Sequence, residues 1–108
     1  MATKQLEKEI QLAICDYLAL KHYFFWRQNT SPIFDKASGF YRPLPKYAMR
    51  GVSDIILIGK KGFVVFIEVK RQAGKLSEHQ EAFKMLCDKW GATYLVVTSL
   101  DDIISYGL

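Results

Sequence analysis

The sequence predicts an α/β fold, a small mixed sheet with helices on its faces, and three stretches lead to it. Residues 51–70 alternate as two strands around a tight turn, with β-branched and aromatic runs on either side of Gly59-Lys60-Lys61-Gly62. Leu6, Ile10, Ala13, Ile14, Tyr17 and Leu18 recur at helical spacing and predict a first helix over 3–20. After the hairpin, a helix and then the strand ATYLVVT (92–98) complete a right-handed crossover, which sets that strand parallel to the second hairpin strand. The predicted order is α-β-β-β-α-β, with helices on both faces of the sheet.

Taken in order, the first helix carries its apolar stripe around Ile10, with Glu7 at the border of the buried face and Glu9 on the other side. A border glutamate serves equally well as a solvated helix residue. YFFWR (23–27) is a short aromatic strand. The connection 29–50 holds all three prolines (Pro32, Pro43, Pro45), together with Asn29, Ser31, Ser38, Gly39 and the aromatics Phe34, Phe40, Tyr41 and Tyr47. A link of that length is usually functional or disordered. Ser77 is a good N-cap for the second helix, and Gln80 completes an S-x-x-Q capping box. Phe83, Leu86, Cys87 and Trp90 mark that helix's buried stripe, and Gly91 stops it. Ser99 can cap a last turn over 100–106.

With 108 residues the chain is expected to form a single domain, 1–108, able to bury a genuine core. Its +4 charge is uneven: residues 21–50 hold Lys21, Arg27, Lys36, Arg42, Lys46 and Arg50 against Asp35, leaving −1 elsewhere. That asymmetry points to an anionic partner, most simply nucleic acid, and competes with a merely solvated loop. Basic residues interleaved with aromatics can contact phosphates and stack on unpaired bases. Cys15 and Cys87 lack paired spacing and read as core thiols of a reducing compartment. No signal peptide or membrane-length apolar run is visible, so a cytoplasmic location is expected, with no membrane partner. There is no P-loop and no GxGxxG, hence no nucleotide cofactor. Two lone histidines and two lone cysteines make no zinc site.

The hairpin carries the chemistry. If its loop is Lys60-Lys61-Gly62, with Gly62 in the left-handed conformation, Asp54 falls opposite Glu68 and Lys70 points to the same face. Two carboxylates roughly 5 Å apart at the β-carbon repel. In a sheet apolar on both faces they need compensation, which a hard divalent cation such as Mg²⁺ supplies. The competing reading is an Asp at a strand start and a Glu–Lys pair on a wet edge, and a one-residue slip would separate the acids.

GVSD (51–54), IEVK (67–70), LSEHQ (76–80) and EKEIQ (7–11) together resemble the virus-type replication-repair nuclease (VRR-NUC) domain of the PD-(D/E)XK superfamily, over nearly the whole chain. Ser53 stands where the name motif has proline. The resemblance implies a restriction-endonuclease-like fold and a DNA endonuclease dependent on Mg²⁺ or Mn²⁺. Asp54 and Glu68 would be its metal acids, aided by the Val69 carbonyl. Lys70 would be the lysine that orients water and Gln80 the glutamine of the following helix. Glu7 would be the first-helix acid completing the metal's outer shell, with Glu9 still a candidate. Arg27, Lys36, Arg42, Lys46 and Arg50 would bind DNA, with Gly51 and Ser53 at the approach. Small stand-alone members resemble viral or phage Holliday-junction resolvases, which act as homodimers in DNA repair. A nicking or restriction-type nuclease keeps the same residues, and a non-catalytic DNA-binding module keeps only the basic loop.

Overall fold

The computed structural model describes residues 3–28 and 34–108, so Asn29, Ser31 and Pro32 of the long connection lie outside the described residues. Helix α1 (Thr3–Leu20) leads into strand β1 (Phe24–Arg27). The connection then forms a small two-stranded sheet of its own, β2 (Phe34–Asp35) against β3 (Phe40–Tyr41). The expected order α-β-β-β-α-β did not include these two short strands, and the order is corrected accordingly. Asp35 builds the turn: its side chain accepts from the Ala37 N–H, and its carbonyl accepts from the Gly39 N–H.

Strands β4 (Ile55–Ile58) and β5 (Val64–Val69) pair antiparallel, Ile55 opposite Ile67 and Ile58 opposite Val64, in the expected register. The Gly59 N–H donates to the Phe63 carbonyl and closes a loop of Lys60, Lys61 and Gly62. Gly62 is left-handed at φ +80°, as expected; Lys61 is left-handed too, at +65°, a conformation that costs a residue with a β-carbon about 1–2 kcal/mol. Strand β6 (Thr93–Val97) pairs parallel to β5, and the sheet order is β1-β4-β5-β6.

Alternation along the strands divides the core in two. Ile55, Leu57, Val65, Ile67, Val69 and Val97 face α1 and α3 (Leu100–Tyr106) and pack on Ile14, Cys15, Leu18 and Ile103. Tyr17 and Tyr23 both donate to the Leu108 carbonyl, tying α1 and the start of β1 to the end of α3. The opposite face belongs to α2 (Glu78–Trp90), whose Phe83 meets Phe66 edge-on at 4.9 Å and Tyr94 at 5.9 Å. Helix α2 starts with the predicted Ser77–Gln80 capping box and ends at Gly91, left-handed at φ +81°.

Two stripe assignments change. In α1, Leu6 and Ala13 are exposed, because the buried side centres on Ile14 and Leu18, with Cys15 in the core as expected. In α2, Phe83 and Cys87 are buried but Leu86 is partly open and Trp90 is 78% exposed. Trp90 is the last residue of that helix, and helical spacing alone put it inside.

Candidate active site

The site lies where β5 ends and β4 begins, on the α2 side of the sheet. Asp54 immediately precedes β4, one step beyond the Ile55–Ile67 pair, and so stands across from Glu68. The Asp54 carboxylate also holds the partner strand directly, accepting from the Val69 N–H at 2.8 Å. Glu68 is 3% exposed, an acid almost wholly removed from water. Its Oε2 accepts from Gln80 Nε2 at 3.1 Å and faces Lys70 Nζ at 3.8 Å. Its buried Oε1 has no hydrogen-bond partner among the described residues.

These surroundings push the Glu68 carboxyl up to about pKa 8. Burial is the main cause, followed by the Asp54 charge and the hydrogen bond that a protonated Glu68 shares with Asp54; Lys70 opposes the shift and Glu7 adds slightly to it. Neighbouring Tyr94 on β6 likewise has a buried hydroxyl without a partner among the described residues. Its phenol pKa is raised, chiefly by burial and then by Glu68 and Asp54.

Gln80 combines the two roles that the sequence allows it. Its Oε1 accepts from the Ser77 N–H at 2.8 Å, closing the capping box, while its amide nitrogen reaches Glu68. Glu7 reaches the same end of the sheet from α1, where it accepts from the Arg71 N–H at 3.2 Å. Among the described residues no group of three or more His, Cys, Asp or Glu is arranged to hold a metal ion. The donor set is therefore two facing carboxylates, which fits a hard cation that takes one or two carboxylates and completes its shell with water and phosphate oxygens. The unpartnered Oε1 and the mutual repulsion are the features such an ion would relieve.

A cleft of about 490 Å³ opens over the acids, lined among others by Asp54, Glu68, Gln80, Arg42, Arg50 and Tyr41. Of the expected DNA-binding residues the fold brings Arg42, Arg50 and Gly51 to this cleft. Lys36 is exposed in the β2–β3 turn, and Lys46 lies over the Tyr47 ring at 5.1 Å. Arg27 pairs with Ile55, whose side chain faces α1, and donates from Nε to Gln11 of that helix, turned away from the acids. Ser53 differs most from expectation. It points to the same side as Ile55, is 0% exposed, and donates its hydroxyl to the Ile55 carbonyl, leaving no atom for DNA.

The fold itself requires glycine at position 51. It is left-handed at φ +79°, and a β-carbon there would fall 2.2 Å from the His79 carbonyl oxygen. The chain entering β4 thus lies directly against the first turn of α2. Tyr41, Ser77 and His79 also line the cleft; the sequence offers Tyr41 only as one of the aromatics of the basic connection and Ser77 only as a helix cap. The adjacency of Tyr41 to Arg42 is the signal for the first; His79 reads from sequence as an ordinary first-turn residue.

No family model and no curated protein matches the sequence. Among solved structures, a "VRR_NUC domain" aligns with 99% of this chain and 100% of its own at 22% identity and TM-score 0.67. A "VRR_NUC domain protein" aligns over 93% of this chain and 83% of its own at 19% identity and TM-score 0.65. The α/β arrangement built above, sheet order and covering helices included, is the VRR-NUC fold along nearly the whole chain.

Proposed function

We propose that the chain is a nuclease of VRR-NUC type that hydrolyses DNA phosphodiester bonds with a divalent metal, Mg²⁺ or Mn²⁺. Its finer role is that of an endonuclease selective for branched DNA, resembling a Holliday-junction resolvase and working as a homodimer. The observation that carries this reading is the facing pair Asp54 and Glu68 in a cleft that Arg42 and Arg50 also line. The fold shared with VRR_NUC structures supports it.

Asp54 and Glu68 would hold the ion, with the Val69 carbonyl beside them. When bound, the ion supplies Lewis-acid polarisation of the scissile phosphate and its water, and offsets negative charge developing in the transition state. The remaining work falls to the side chains. Lys70, held 3.8 Å from Glu68, orients the attacking water and neutralises a phosphate oxygen. Gln80 fixes the Glu68 carboxylate through its amide. Glu7, tied to the Arg71 N–H, adds negative charge at the edge of the site. Arg42 and Arg50 take the flanking phosphates. Exposed Phe24 and Trp26 on edge strand β1 offer apolar surface for a second copy.

The test uses labelled four-way junction, flap and duplex DNA with Mg²⁺, Mn²⁺ or EDTA. Asp54→Asn keeps an acceptor for the Val69 N–H, so the fold should survive while cleavage falls by about 100-fold or more, the several kcal/mol an ion contributes. Paired nicks confined to the junction would bear out the resolvase role, and cutting of flaps or duplex would remove it. Wild-type rates in Asp54→Asn would overturn the metal assignment.

A further inference from the structure

Two buried side-chain polar atoms lack a hydrogen-bond partner among the described residues, Glu68 Oε1 and the Tyr94 hydroxyl. Both residues lie on the α2 side of the sheet. Strand β6 pairs parallel to β5 with Val96 beside Glu68 and Tyr94 beside Phe66, so Tyr94 stands diagonally next to Glu68. Side chains so placed start roughly 7–8 Å apart, within reach of an aromatic. Val96, the direct neighbour, is apolar and offers Glu68 no donor. Gln80 and Lys70 both attend Oε2, and Asp54 is engaged with the Val69 N–H. The Tyr94 ring needs no hydroxyl for its packing. It lies tilted against Phe83 at 5.9 Å, where phenylalanine would fill the same space. A buried hydroxyl left unused is costly, so this one calls for an acceptor. After burial, the Glu68 charge is the largest influence holding that phenol protonated, ahead of Asp54, Cys87 and Glu81. The hydroxyl therefore remains a donor. A carboxylate oxygen has two lone pairs, so Oε1 can meet an ion on one and a donor on the other.

We propose that Tyr94 is a positioning residue of this site: its hydroxyl, through one buried water, hydrogen-bonds Glu68 Oε1 and holds that carboxylate ionised and aimed for a divalent cation. This rests on the nuclease reading and adds to it a residue of β6, outside the stretches that carry the sequence resemblance. Groups that hydrogen-bond a metal's ligands fix their orientation, and losing one typically weakens metal binding by about 10–100-fold.

Mn²⁺ binding is titrated without DNA, by the electron paramagnetic resonance of the free ion, in the wild-type chain, Tyr94→Phe and Asp54→Asn. Tyr94→Phe should bind Mn²⁺ about tenfold more weakly. Its urea unfolding in EDTA should stay close to wild type, because a hydroxyl has been removed and no packing. Its cleavage of DNA should return to the wild-type rate at saturating Mn²⁺, which a damaged fold would not allow. Wild-type Mn²⁺ affinity in Tyr94→Phe, a marked loss of stability in EDTA, or a rate that stays low at saturating Mn²⁺ would overturn the proposal. Affinity kept in Tyr94→Phe but lost in Asp54→Asn would set aside Tyr94 alone and leave the nuclease standing; no binding by the wild-type chain would remove both.

Discussion

Burial keeps Glu68 protonated up to about pH 8, whereas in an unfolded chain the same group ionises near its ordinary value of 4.5. Between those values the folded state carries a proton that the unfolded state has released, so this group's contribution to stability falls as pH rises and levels off above about 8. At about 1.4 kcal/mol per pKa unit the effect reaches several kcal/mol if nothing offsets it. Urea unfolding at pH 5, 6.5 and 8 should show that decline in the wild-type chain and a flatter profile in Glu68→Gln. Under the proposed function, Mg²⁺ should restore stability at pH 8 to the wild-type chain alone, since binding to the folded state raises its apparent stability. The pairing of Asp54 with Glu68 was legible because a two-residue period and one turn decide which side chains meet. Both roles of Gln80 were offered too, the cap by its S-x-x-Q spacing and the site by the resemblance; that one amide fills both at once depends on how α2 packs on β5.

At the level of elements, the junction between the chain entering β4 and the first turn of α2 is the tightest requirement. Gly51→Ala adds a methyl group 2.2 Å from a backbone oxygen at a left-handed position, so neither a rotamer change nor a small shift relieves it. Destabilisation of about 3 kcal/mol or more is expected, from backbone strain and the displaced loop together. Thermal unfolding measures it, with Gly62→Ala in open space as the control that carries the strain without the clash. Periodicity revealed the helices, the hairpin register and the parallel crossover, all governed by short-range pattern. It could not reveal that Gly51 meets His79, since their approach depends on packing between segments far apart in sequence. The two-residue alternation does send Ser53 to the face opposite Asp54, although the resemblance set it at the approach to DNA.

Across the whole molecule, the basic surplus of residues 21–50 does not act as one patch. The fold sets Arg42 and Arg50 on the cleft, turns Arg27 towards α1 and leaves Lys46 on Tyr47. The salt dependence of DNA binding should therefore report the two cleft arginines. Replacing both by alanine should flatten the slope of log affinity against log salt by about 0.9 for each phosphate they neutralise, on duplexes of unrelated sequence alike. An unchanged slope would place the phosphates elsewhere. The uneven charge was visible in the sequence; which cations share a surface depended on the β2–β3 hairpin and the arm after it.

The division of the core into two layers has a consequence for oxidation. Cys15 packs under α1 and Cys87 under α2, so the sheet lies between the two free thiols. Burial raises the pKa of each, which keeps both in the sluggish thiol form. A disulfide joining them would have to pass through the sheet, so the oxidised, cross-linked chain and the folded chain are mutually exclusive states.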